Sequence, residues 1–202
     1  IQDAINSSSN GDKIIVKPGI YEEELIINKS ITLEGEVKNQ TVLRGNLENT
    51  GISIDSDWVN ISKMKFSEYE YSIKTIDKSN NIRIENCTFN NIRNRALSLG
   101  ADYFQIEHNY FTNVSNGPID GILRYGNIHK NTFNCVSRID CVLIDVNIFN
   151  NSFINGSGIR FDGSSNGVFI YSNIFYNVTY GISTSQYLRA SHFEIYNNIF
   201  IK

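Results

Sequence analysis

The chain has 202 residues, enough for one sizeable core and too few for two comfortable domains. Eighteen Lys and Arg against twenty-one Asp and Glu leave a formal charge of −3, without the basic excess of a nucleic-acid binder. Hydrophobic residues make up 41% and charged residues 19%, which excludes a disordered chain, and no apolar run approaches the roughly 20 residues that span a bilayer. The 31 Ile and 28 Asn, against two Pro, predict many short strands joined by corners that Asn side chains stabilise. The spacing of Ile1, Ala4 and Ile5 predicts a short amphipathic helix that covers the first sheet edge. Gly11-Asp12 reads as a turn, Ile14-Ile15-Val16 as a strand and Pro18-Gly19 as a second turn. Leu25-Ile26-Ile27 and Ile31-Thr32-Leu33 continue as strands up to Gly35, so residues 1–35 form a cap and the first strands.

From residue 60 onward a repeat organises the chain. Phe66, Phe89, Phe111, Phe133, Phe153, Phe175 and Phe200 follow one another at 23, 22, 22, 20, 22 and 25 residues. Five residues before each stands Ile: Ile61, Ile84, Ile106, Ile128, Ile148, Ile170 and Ile195. Two residues before, Asn109, Asn131, Asn151, Asn173 and Asn198 occupy successive copies, with Met64 and Cys87 in the two earlier ones. A second series, Asn91, Asn113, Cys135, Asn155 and Asn177, runs two residues after the Phe. A period near 22 residues with apolar residues two apart and no helical stripe means a β-solenoid; leucine-rich repeats lack this consensus and propeller blades need about 40 residues. The expectation is an all-β right-handed parallel β-helix whose Asn columns are structural ladders, with coils stacked about 4.8 Å apart. Phe200-Ile201-Lys202 stops inside a repeat, which predicts further chain and further domains beyond Lys202.

Two outward columns carry candidate chemistry. Asp120, Asp140 and Asp162 recur at one repeat position, with Arg138 and Arg160 two residues before the last two. Alternation places them outside if Ile119, Ile139 and Phe161 point inward. Three stacked carboxylates can coordinate Ca²⁺, serve as acid and base on a glycan, or form an exposed ion-pair ladder with the arginines. The second column runs Glu85, Glu107, His129, Phe149, Tyr171 and Tyr196; Phe149, Tyr171 and Tyr196 offer an aromatic strip for sugar faces or for packing between strands. No cofactor beyond that possible Ca²⁺ is indicated. Cys87, Cys135 and Cys141 show no metal spacing and read as buried thiols, with a Cys135–Cys141 bond as the alternative. Asn-x-Ser/Thr sites such as Asn6, Asn28, Asn39, Asn113 and Asn155 fit an exported glycoprotein.

I-Q-D-A-I, G-D-K-I-I-V-K-P-G-I-Y and K-S-I-T-L-E-G resemble the opening of pectin-lyase-like β-helix proteins, and the later copies resemble the short repeats of NosD-type and carbohydrate-binding members. The resemblance spans essentially the whole chain and implies the β-helix fold, while that fold hosts several activities. It implies a polysaccharide or glycan partner and an extracellular or cell-surface location. The paired D-D, G-H-G and R-x-K motifs of polygalacturonase-type members and the R-x-P-x-x-R segment of pectate lyases are absent from this sequence. The sequence therefore favours a non-catalytic carbohydrate-binding or adhesin-like module, with a polysaccharide lyase or glycoside hydrolase using the Asp/Arg patch as the alternative. A copper-handling role by analogy to NosD has little support, with one Met and three scattered His.

Overall fold

The computed structural model describes residues 1–161, 165–184 and 191–202. The chain winds as a parallel β-helix of three-stranded coils. The first face begins with Lys13–Val16, Thr32–Gly35, Asn60–Ser62, Arg83–Glu85 and Gln105–Glu107. The second face stacks nine strands in sequence order among the described residues, from Gly19–Tyr21 to Ile199–Ile201. The third face carries Leu25–Ile27, Thr50–Ile54, Tyr71–Thr75 and Arg95–Asp102, then Ser157–Phe161 and Tyr180–Thr184. Gly117–His129 and Ile139–Phe149 run from the third face around its corner onto the first.

Non-glycine residues with positive φ mark all three corners, with φ between 50° and 70°. Lys63, Asn86, His108, Lys130, Asn150, Ser172 and Asn197 turn the first face into the second, and Glu68, Asn91, Asn113, Asn155 and Asn177 turn the second into the third. Asn tolerates this left-handed region better than other side chains, which explains its abundance. The buried Asn column follows immediately after the first of these corners. Asn131 donates through Nδ2 to the Ile106 carbonyl at 2.8 Å, and its Oδ1 accepts the Asn109 backbone N–H at 2.9 Å. The same pattern repeats through Asn151 and Asn173 to Asn198, and at the other end the Cys87 N–H donates to Asn109.

Inside, the Phe column forms a continuous stack from Phe66 to Phe200 with ring centroids 4.7–5.1 Å apart. Phe133 is buried between Phe111 and Phe153, as the repeat requires. The Ile column is in register from Ile61 through Ile84, Ile106, Ile128, Ile148 and Ile170. Each such side chain contributes about 1.5–3 kcal/mol by leaving water.

The N-terminal segment departs in detail from its sequence reading. The helix spans Gln2–Ser7 and buries only Ile5, while Ala4 faces outward. Gly19 opens a strand rather than completing a turn, and Thr41–Arg44 and Thr50–Ile54 add strands that no motif had marked. All three cysteines are free thiols. Cys135 sits at a corner and Cys141 points inward from its strand, so no Cys135–Cys141 bond forms; burial pushes the Cys87 thiol up to about 12 and Cys135 up to about 11.

Candidate functional site on the third face

The outward row of the third face begins with Ser53, Lys74, Ser98, Asp120, Asp140 and Arg160. Ile119, Ile139 and Phe161 are buried, so Asp120 and Asp140 do face outward on neighbouring coils. The residue opposite Asp140 on the next coil, however, is Arg160 and not Asp162. The expected row of three carboxylates is therefore corrected to two carboxylates followed by a guanidinium, and Asp162 lies outside the described residues.

The row is heavily ion-paired. Arg160 reaches Asp140 with Nε at 3.0 Å and a terminal nitrogen at 2.9 Å, a two-pronged contact. Arg138 Nε stands 3.7 Å from Asp140, an ion-pair distance too long for a hydrogen bond, and makes no hydrogen bond of its own. Arg95 Nε lies 3.1 Å from Asp120. A Ca²⁺ at Asp140 must first displace the Arg160 guanidinium, so the donor set fits a cation poorly. Among the described residues no group of three or more His, Cys, Asp or Glu is gathered around one point.

Further along the same strands lies a groove of about 500 Å³, which sequence reasoning missed. Asp102, largely buried, sits opposite Arg124 on the next coil and binds it at 3.3 Å, while Lys78 reaches its other oxygen at 2.7 Å. The floor is Gly100 and Gly121. A Cβ on Gly100 would meet nothing closer than 3.7 Å, so its lack of a side chain opens the groove. Gly121 has φ +125°, and a Cβ there would lie 1.9 Å from the Leu99 carbonyl oxygen, so only glycine fits. The 22-residue spacing of Asp102 and Arg124 matches the repeat and was the available signal, while Lys78 stands two residues before Asn80, the residue opposite Asp102. An ammonium has three donors and a guanidinium five, so binding Asp102 leaves Lys78 and Arg124 capacity for a second carboxylate.

The second outward column, on the first face, keeps its expected order from Glu85 to Tyr196. His129 stacks on Phe149 at 4.7 Å, Phe149 on Tyr171 at 5.0 Å and Tyr171 on Tyr196 at 5.1 Å, with interplanar angles of 2–5°. The rings stack face to face along the column, which ties neighbouring strands together. At its other end Glu107 accepts Arg83 at 2.6 Å and lies 3.2 Å from His108 and 3.4 Å from His129. Burial holds His129 below its ordinary value of 6.5, with the Glu107 charge opposing that shift.

Among solved structures the chain is similar to an alginate lyase from Paenibacillus sp. str. FPU-7, at 14% identity and TM-score 0.63, covering 100% of this chain and 94% of that one. It is also similar to the PL6 family alginate lyase AlyGC, at 14% identity and TM-score 0.65, covering 98% of this chain and 38% of that one. A mannuronic acid specific polysaccharide family 6 lyase from human gut microbiota aligns at 12% identity and TM-score 0.50, over 95% of this chain and 70% of that one. Identities this low establish the shared fold alone. No curated protein sequence matches the chain. No helix among the described residues is long and apolar enough to cross a membrane. The model of the right handed beta helix region family matches residues 50–202, the stretch that carries the Phe, Ile and Asn columns, and the chain belongs to that family.

Proposed function

We propose that the protein binds and cleaves an acidic polysaccharide along the third face, outside the cell, as a lyase. The observation that carries this reading is the Lys78–Asp102–Arg124 groove continuing into the Arg95–Asp120 and Asp140–Arg160 pairs on one outward face. Such a face suits a polymer that presents one carboxylate per sugar. The likeness in fold to alginate lyases supports it. Asp120 and Arg124 are four residues apart on one strand, about 13 Å, so one uronate can sit against Asp120 while another is held by Lys78 and Arg124.

Elimination needs a cation beside the uronate carboxylate, a base for the proton on the adjacent ring carbon and a proton for the departing oxygen. Arg95 supplies the first. A guanidinium has no proton-accepting role at ordinary pH, and we assign the base to Asp120, the carboxylate beside Arg95. The C–H electron pair becomes the ring double bond as the glycosidic C–O bond breaks, and the departing oxygen takes a proton from solvent. No water is consumed. A hydrolase would need one carboxylic acid to donate, and both carboxylates here accept from guanidinium groups.

The extensive ion pairing also supports a second reading, a glycan-binding surface without chemistry. Incubation with polymannuronate, polyguluronate and polygalacturonate, read by ultraviolet absorbance of the unsaturated product, decides between them. Asp120→Asn is expected to abolish product and retain binding, and Lys78→Ala with Arg124→Ala to lower turnover by about 10²-fold. Binding without product overturns the lyase reading in favour of the module; reducing ends without absorbance favour a hydrolase. Calcium is expected to leave the Tm unchanged, because Arg160 already fills its place, and a rise would restore the cation reading.

A further inference from the structure

The corner between the third and first faces carries a column of its own. Trp58, Asn81, Tyr103 and Tyr125 each stand two residues before register-matched strand positions, Asn60, Arg83, Gln105 and Asn127. Backbone bonds tie the column together: the Trp58 N–H donates to the Asn80 carbonyl, that of Asn81 to Asp102 and that of Tyr103 to Arg124, each at 2.9 Å. All four have φ between 55° and 59°. Bulky residues rarely adopt this region, and here three aromatic rings adopt it in the open, with Trp58 66% exposed, Tyr103 59% and Tyr125 45%. An exposed ring in an unfavourable backbone conformation contributes little to the core, so packing does not account for it.

Ring orientation shows what the column can do. Tyr103 and Tyr125 stack at 5.4 Å, so one face of Tyr103 is covered and the other looks along the column toward Asn81. Asn81 carries no ring. A cleft of about 310 Å³ opens there, walled by Trp58 on one side and Tyr103 on the other. Two strand spacings separate the walls, about 9.6 Å. A ring held at stacking distance from both, about 4.5–5 Å each, fills that span.

The floor is polar, with Asn60, Arg83 and Gln105 lining it. Gln105 accepts from Asn127 through Oε1, which leaves its amide nitrogen as a donor, and Asn60 Oδ1 is buried without a hydrogen-bond partner. Two apolar walls above amides and a guanidinium match a pyranose, which has C–H faces and a rim of hydroxyls. A nucleobase is thinner than a pyranose with its axial hydrogens and would sit loosely. Arg83 already binds Glu85 and Glu107, so the cleft does not call for an anion.

We propose that the gap between Trp58 and Tyr103 is a sugar subsite that intercalates one pyranose ring of a polysaccharide over Asn81, between the first and third of three successive coils. Asp102 and Arg124 immediately precede Tyr103 and Tyr125, so the gap lies around the corner from the third-face groove, within reach of a polymer lying there. The subsite stands on its own geometry and does not require that face to be catalytic.

Trp58 is the only tryptophan of the chain, so its fluorescence reports on the cleft directly. The full chain is titrated with oligomannuronate, oligogalacturonate and cellotetraose, with adenosine as a flat-ring control. At least one oligosaccharide is expected to shift the emission saturably. Tyr103→Ala is expected to weaken that binding about tenfold. Asn81→Tyr extends the Tyr103–Tyr125 stack into the gap and is expected to abolish the response while circular dichroism stays unchanged. The site is overturned if no oligosaccharide changes the emission, if adenosine does so as strongly, or if the response survives Asn81→Tyr. Should that variant not fold, an affinity unchanged in Tyr103→Ala overturns it equally. A protein that binds here yet leaves polyuronides intact fails the proposed cleavage and not this subsite.

Discussion

Asn131 serves as both donor and acceptor at a place where water cannot reach. Its amide nitrogen donates to the carbonyls of Ile106 and His129, and its oxygen satisfies the Asn109 backbone. Asn131→Ala strands these groups in the interior and is expected to cost about 1–3 kcal/mol, read by urea denaturation. Asn131→Asp should cost more at neutral pH, because a carboxylate cannot donate to Ile106 and adds a buried charge. Acidification should narrow the gap between the two variants as the carboxyl gains its proton. His129 supplies a second test. Its folded-state pKa is depressed by burial, so the unfolded chain binds the proton more readily. The stability tied to His129 is thus fully present above the ordinary value of 6.5 and is lost as pH falls toward the folded value. His129→Phe continues the Phe149–Tyr171 ladder without a titrating group, so its Tm relative to wild type should improve as pH drops from about 7 to about 5. A difference that stays constant across this range would refute the assignment.

At the scale of strands and columns, the Phe stack is the principal element. Phe133→Ala opens a gap between Phe111 and Phe153 and is expected to cost about 3–5 kcal/mol in denaturant unfolding. A loss below about 1 kcal/mol would mean the stack closes around the missing ring. The Ile, Phe and buried Asn columns were legible in the sequence because each uses one distinctive residue type at a fixed offset. The third face was not. Ile139 and Cys141 are both apolar, as are Ile159 and Phe161, so a slip of two residues leaves the inward pattern unchanged while exchanging Asp162 for Arg160 opposite Asp140. Asp120 and Asp140 themselves were found, since their spacing equals one coil. Lys78, Asp102 and Arg124 went unnoticed because their column changes residue type at every coil, from Asn80 to Asp102 to Arg124. The Phe149–Tyr171–Tyr196 column was readable as a column, but ring planes are set by packing that sequence does not encode.

For the molecule as a whole, stability accumulates coil by coil, because each coil touches only its neighbours. Deleting residues 112–133, one period of 22, should rejoin Phe111 to Asn134 with the columns intact. The product is expected to fold with a lower denaturation midpoint. Deleting one residue fewer should place a Phe where the register demands another side chain and prevent cooperative unfolding, checked by circular dichroism. If both deletions fold alike, the register is not what selects the coil length.

The coil-to-coil backbone bonds also determine how the molecule bears load. They run along the solenoid axis, so tension applied between its two ends falls on a few bonds at a time instead of on a whole sheet edge in shear. Extension should proceed as a staircase, each step releasing one coil of about 22 residues, or roughly 75 Å of contour. Steps bordered by the buried Asn residues should need the greater force, since peeling such a coil breaks side-chain bonds along with the backbone ladder. A polymer inserted between Trp58 and Tyr103 would act as a rivet across three coils, and its presence should be felt as one strengthened step near the first third of the chain.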